Sequence, residues 1–132
     1  MKQILLDTNT LSLYFEQDNL VHQEVEEADI IYVSVITLGE IKYGFLKGSQ
    51  LKDNNRLLND FLDNPLVKEI DIVEVTAMIY AEIYYKLQKL GLPVPSNDIW
   101  IAACAIETDS TIITYDKHFL KIPGVKVWKH LV

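Results

Sequence analysis

The chain has 132 residues, 49% of them hydrophobic, which excludes a disordered chain and predicts one domain, residues 1–132, with a core of its own. A formal charge of −7 excludes simple electrostatic attraction to nucleic acid. The single cysteine, Cys104, excludes an internal disulfide, and the apolar run of MKQILLD is too short for a signal-peptide core or a membrane span, so the cytoplasm is the expected compartment.

KQILLD reads as a short buried strand, followed by a helix from Thr8 to about Glu16 and a second short helix over 20–28. DIIYVSV is rich in β-branched residues and predicts strand two. Thr37 to Lys47 carries a helical stripe of Leu38, Ile41, Phe45 and Leu46, broken by Gly48-Ser49. Residues 50–63 predict another helix, and LVKEIDI a third strand. Over 73–90, Val75, Ile79, Ile83, Leu87 and Leu90 recur at spacings of three and four, and Gly91 ends that helix before the loop LPVPS. The helix from Asn97 to about Thr108 carries Ala102, Ala103, Cys104 and Ala105, small enough for close packing on a sheet. TIIT predicts a fourth buried strand and VKVW a fifth at the edge. Strands alternating with helices imply a mainly parallel sheet of four to five strands with helices on both faces.

Acidic residues stand where four hydrophobic segments end: Asp7 in ILLDTN, Glu40 in ITLGE, Asp98 in SNDIWIAA and Asp116 in IITYD. Each has an ordinary structural explanation. Asp7 and Asp116 can cap the helical segments after them, Thr37-x-x-Glu40 fits a capping box, and Asp98 complements a helix N-terminus. Capping does not require an acid at all four places, since Ser, Thr or Asn would serve. In an open parallel sheet the carboxyl ends of the strands form the ligand crevice, so acids from separate elements can converge there. Converging carboxylates repel unless a cation joins them, and hard divalent ions suit oxygen ligands.

The segments LLDTN at 5–9, TLGEIKYG at 37–44, NDIWIAACA at 97–105 and IITYDKHF at 112–119 resemble, in order and spacing, those of the PIN domain. That is the nuclease fold of VapC-type toxins from bacterial and archaeal toxin–antitoxin modules. The resemblance implies a PIN-like three-layer sandwich and a metal-dependent endoribonuclease acting as a toxin. It places Asp7, Glu40 and Asp98 at the metal-holding positions, with Asp116 as the fourth acid and Mg²⁺ or Mn²⁺ as the ion. Asn9 and Thr114 match supporting polar positions. Tyr115 stands where a polar or basic residue is common in the family. The resemblance further implies a homodimer and a small antitoxin whose tail covers the acidic cleft.

Other α/β classes with acidic sites depend on particular residues. A receiver domain needs an acidic pair at the end of strand one, but Thr8 and Asn9 follow Asp7. A haloacid-dehalogenase-like phosphatase needs a second Asp where Asn9 stands. A non-catalytic PIN-like interaction module usually loses acids that are present here. His22, His118 and His130 are isolated in sequence, so a zinc site is not expected, and His118 reads as a surface residue close enough to Asp116 to touch RNA. Lys42 and Lys117, with Lys47 and Lys121, are candidates to flank the acids and meet phosphate. Apolar residues on 37–47 and 50–63, among them Tyr43, Phe45, Leu57 and Phe61, predict a groove for an antitoxin helix or extended segment.

Overall fold

The computed structural model describes residues 1–131. Strands β1 (Gln3–Leu6), β2 (Ile30–Ser34), β3 (Val67–Ile70), β4 (Thr111–Ile113) and β5 (Lys126–Val127) form one sheet in the order β3-β2-β1-β4-β5. Every neighbouring pair is parallel. Around it lie α1 (Thr8–Phe15), α2 (Asn19–Glu27), α3 (Val35–Lys47), α4 (Leu51–Leu62), α5 (Glu74–Leu90) and α6 (Ser96–Glu107). Short 3-10 helices follow at Lys117–Lys121 and Lys129–Leu131. No described helix is long and apolar enough to cross a membrane.

Successive side chains of a strand point to opposite faces, and the apolar runs use both. Ile4 and Leu6 of β1 join one core while Leu5 joins the other. Ile113 and Ile112 of β4 divide in the same way, as do Ile31 and Tyr32 of β2. The first core takes in α1 to α4 through Leu11, Val25, Ile41 and Phe61. The second takes in α5 and α6 through Ile83, Leu87 and Ile99, and the first 3-10 helix through Phe119. The result is the expected three-layer sandwich.

The structure departs from the sequence pattern at two helices. Helix α3 starts at Val35, because Ser34, the last residue of β2, caps it by accepting from the Thr37 N–H at 3.1 Å. Thr37 is therefore inside the helix and Glu40 sits in its second turn, so the capping box Thr37-x-x-Glu40 does not form. On α5 the buried positions are Thr76, Ile83 and Leu87, whereas Val75 and Leu90 are exposed. The inward stripe is narrower than the apolar content of that helix.

Helix α5 ends in a left-handed turn at Gly91 (φ 66°), whose N–H meets the Gln88 carbonyl while the Leu92 N–H meets that of Leu87. This Schellman closure favours glycine and sends the chain back as the 92–95 loop. On α6, Ala102, Ala103, Cys104 and Ala105 are all fully buried, which lets the helix lie close on the sheet. Replacing Ala103 with Leu overfills that interface and is expected to lower stability by about 1–3 kcal/mol. Urea unfolding checks this: the midpoint falls with the slope unchanged, and an unaltered midpoint would show spare room between α6 and the sheet.

Candidate active site

The strand order runs outward from β1 in both directions, so connectivity reverses between β1 and β4. A crevice forms outside the carboxyl ends of strands at such a point. Asp7 directly follows β1, and Thr114 to Asp116 directly follow β4. Glu40 and Asp98 instead lie on helices, in the second turn of α3 and the first turn of α6. Only two of the four acids thus come from strand ends, and helices bring the other two to the same crevice.

Hydrogen bonds, with the peptide links Asp7–Thr8 and Asn97–Asp98, join the four acids in a closed circuit. Asp7 caps α1, its Oδ1 accepting from the Thr10 N–H at 2.9 Å and lying 2.8 Å from the Thr10 hydroxyl. Its Oδ2 accepts from the buried Thr114 hydroxyl. The oxygen of that same hydroxyl accepts from the Asp116 N–H at 2.9 Å. Asp116 Oδ1 accepts from the His118 N–H at 2.9 Å and lies 3.2 Å from His118 Nδ1. His118 Nδ1 is also 3.3 Å from Asp98 Oδ2. Asn97, the residue before Asp98, donates its amide to Glu40 Oε2 at 3.3 Å. Thr8, the residue after Asp7, closes the circuit by donating to Glu40 Oε1 at 2.6 Å.

The family model of the PIN domain matches residues 4–125. This chain belongs to the PIN-domain family. It is 35% identical over 95 residues to ribonuclease VapC4 of Mycobacterium tuberculosis, covering 72% of this chain and 73% of that protein. It is 32% identical over 96 residues to ribonuclease VapC2 of Rickettsia felis, covering 72% of this chain and 70% of that protein. In structure it is similar to a chain of the R. felis VapBC2 complex bound to a promoter DNA fragment, with a TM-score of 0.85, 26% identity, and coverage of 96% and 97% of the two chains.

Within this PIN domain the circuit is electrostatically unbalanced. No lysine or arginine pairs with any of the four acids among the described residues. Burial pushes the Asp7 carboxyl above its ordinary range, against the lowering effect of its Thr114 and Thr10 hydrogen bonds, and the Asp116 charge adds to the rise. Burial also raises Asp98, helped by the charges of Asp116 and Glu40 and opposed by His118. These carboxylates therefore hold negative charge at a cost, which a bound cation would remove. Asp98, Asp116 and His118 each offer a ligand atom, and these atoms lie within 4.8 Å of one another. Two carboxylates, one imidazole and open polar surroundings fit a divalent cation.

His118 is the residue that the sequence reading underrated. Its side chain is 42% exposed, as a surface residue near Asp116 would be, but it also lies between two acids, touching Asp98 as well as Asp116. The signal was its place two residues after Asp116, in a segment anchored by the buried Phe119. Asn9 is exposed and lines a groove beside Glu40. Lys42 and Lys117 are exposed and bond to none of the acids, while Lys121 shares a second groove with His118. Tyr115 is 40% exposed and packs edge-on against Trp128.

The raised Asp98 carboxyl sets a pH dependence. Unfolded, it ionises near 3.8; folded, it keeps its proton to higher pH. Stability therefore falls as pH rises between the two values, and the penalty is complete above the folded one. In EDTA near neutral pH, Asp98→Asn is expected to unfold at higher urea than the wild type, with the gap closing as pH falls toward 3.8. An equal or lower midpoint at neutral pH would contradict the charge strain.

Proposed function

We propose that this PIN domain, residues 1–132, is a metal-dependent endoribonuclease and the toxin half of a toxin–antitoxin pair, working in the cytoplasm as a homodimer. The observation that carries the reading is the circuit of Asp7, Glu40, Asp98 and Asp116 at the switch point, which no lysine or arginine joins among the described residues. Proteins similar to it are named ribonuclease VapC. Asp98 and Asp116, with His118 beside them, would hold Mg²⁺ or Mn²⁺, and Asp7 and Glu40 would complete the acidic pocket. The ion, when bound, supplies positive charge at the scissile phosphate and lowers the pKa of water.

The protein's own groups do the positioning. Thr10 and Thr114 fix both oxygens of Asp7, and Thr8 and Asn97 fix both oxygens of Glu40. The carboxylates are thus oriented before anything binds, which reduces the reorganisation needed in the reaction. Asn9 sits at the mouth, where its amide can meet a phosphate oxygen or a water. Lys42 and Lys117 are free to contact phosphates farther along the strand.

An antitoxin partner suits the groove of about 350 Å³ beside the acids, lined among others by Phe15, Glu16, Glu40, Phe45 and Leu57. Phe45 and Phe61 prove to be core residues, so the exposed Leu57, Tyr43 and Leu46 carry the apolar surface available to a partner helix. On α5, Val75, Met78 and Tyr85 are exposed at helical spacing and offer a face for a second copy.

Purified protein with Mg²⁺ or Mn²⁺ is expected to cut a mixed RNA pool, and EDTA to stop it. Asp98→Asn should lower cleavage by more than about 100-fold, beyond what loss of an outer-shell partner costs, with the fold retained by circular dichroism. Equal cleavage by wild type and Asp98→Asn would assign the activity to a contaminant. Metal binding with no cleavage of any RNA would favour a non-catalytic PIN module.

A further inference from the structure

A groove of about 540 Å³ opens between α5, the 92–95 loop and the 3-10 helix Lys117–Lys121. Its floor includes the buried Leu87 and Ile99. Its sides carry Tyr84 and Gln88 of α5, and Pro93 and Val94 of the loop. His118 and Lys121 stand at its remaining edge. We propose that this groove seats an unpaired nucleobase of the RNA strand, next to the scissile phosphate; this rests on the nuclease reading of the acidic circuit.

Three observations lead there. The groove is continuous with the acids, because His118 lines it while its Nδ1 touches both Asp98 and Asp116. Pro95 lines it too, and stands directly before the helix whose first turn carries Asp98. A base seated here therefore belongs to a nucleotide close to the acidic centre.

The second observation is charge. No carboxylate lines this groove, in a chain of net charge −7. The groove on the other side of the acids carries Glu16 and Glu40 and no lysine or arginine. A polyanion is repelled from that side and meets Lys121 on this one. RNA and a partner with basic side chains are thus directed to different grooves.

The third is shape chemistry. A nucleobase has two apolar faces and a polar edge. Leu87, Ile99 and Val94 offer apolar contact, the half-exposed Tyr84 an aromatic surface, and the Gln88 amide both a donor and an acceptor for the edge. Pro93 and Pro95 restrict the loop backbone, so the wall needs little ordering when a base enters. A base paired in an A-form helix cannot present its face, so the groove selects loops and single strands.

Gln88 is exposed on α5, and Gln88→Trp fills the groove from outside the core. Tyr84→Ala only removes atoms and guards against a misfolded Gln88→Trp. Two fluorescent RNA probes, stem-loops with a randomised loop and blunt duplexes of the same stem, are titrated in EDTA so that nothing is cut. Both variants should raise the stem-loop Kd by about tenfold, the loss expected for one stacked base, and leave the duplex Kd unchanged. Mn²⁺ affinity, read by electron paramagnetic resonance, should stay at the wild-type value. With 5-iodouracil in the loop, ultraviolet crosslinks should map to the α5 and 92–95 peptides. Stem-loop binding at wild-type strength in both variants, or crosslinks confined to the α1–α3–α4 groove, would overturn the proposal. Should wild type cut RNA while the variants bind like it, the groove assignment alone falls. Should wild type hold Mn²⁺ yet neither bind nor cut RNA, the nuclease reading falls with it.

Discussion

Four carboxylates meet at the reversal point of a parallel sheet, and among the described residues their mutual repulsion is contained by hydrogen-bond donors without a lysine or arginine partner. Hydroxyls from Thr8, Thr10 and Thr114, the Asn97 amide, backbone N–H groups and the His118 ring hold them. Lysine or arginine in those places would relieve the strain and also occupy the pocket. The donors present orient the oxygens and leave the pocket open to a cation. Asp7 is the hinge of this design, since it caps α1 and faces Thr114 across the β1–β4 boundary. Its ordinary role as a helix cap and its role in the acidic circuit are the same geometry seen from two sides.

The constraint extends outward. Because Asp98 and Asp116 must face one another, α6 has to approach the sheet closely, which its run of fully buried small residues permits. The Schellman turn at Gly91 sets the loop that leads into α6, and that loop walls the groove beside His118. On the opposite side, Ser34 passes β2 into α3 without a loop and places Glu40 one turn deeper than a capping position. Two grooves of different character flank the acids in consequence, one bearing carboxylates and one bearing His118 and Lys121.

Much of this was legible in the residues. The apolar runs of KQILLD, DIIYVSV and TIIT mark buried parallel strands, and the four acids with their segments carry the family resemblance. What could not be read were properties set by direction in space. Thr37 looked like a cap because Ser34 also reads as strand. Val75 and Leu90 looked like core because helical periodicity gives spacing and not which neighbour covers the stripe. His118 gave no sign of its contact with Asp98, which is twenty residues away. Of the candidate lysines, Lys121 lines a groove beside the acids, and solvated helix faces carry lysine without such a neighbour.

The central claim is that the acidic circuit exists to hold a divalent cation. Crystals soaked in Mn²⁺ test it most directly, through anomalous scattering at the manganese edge. The account predicts a peak bounded by Asp98 and Asp116, with oxygen ligands at about 2.0–2.3 Å, and no such peak in Asp98→Asn crystals. A saturating soak that leaves this pocket without anomalous density, or places the ion elsewhere on the protein, would contradict it.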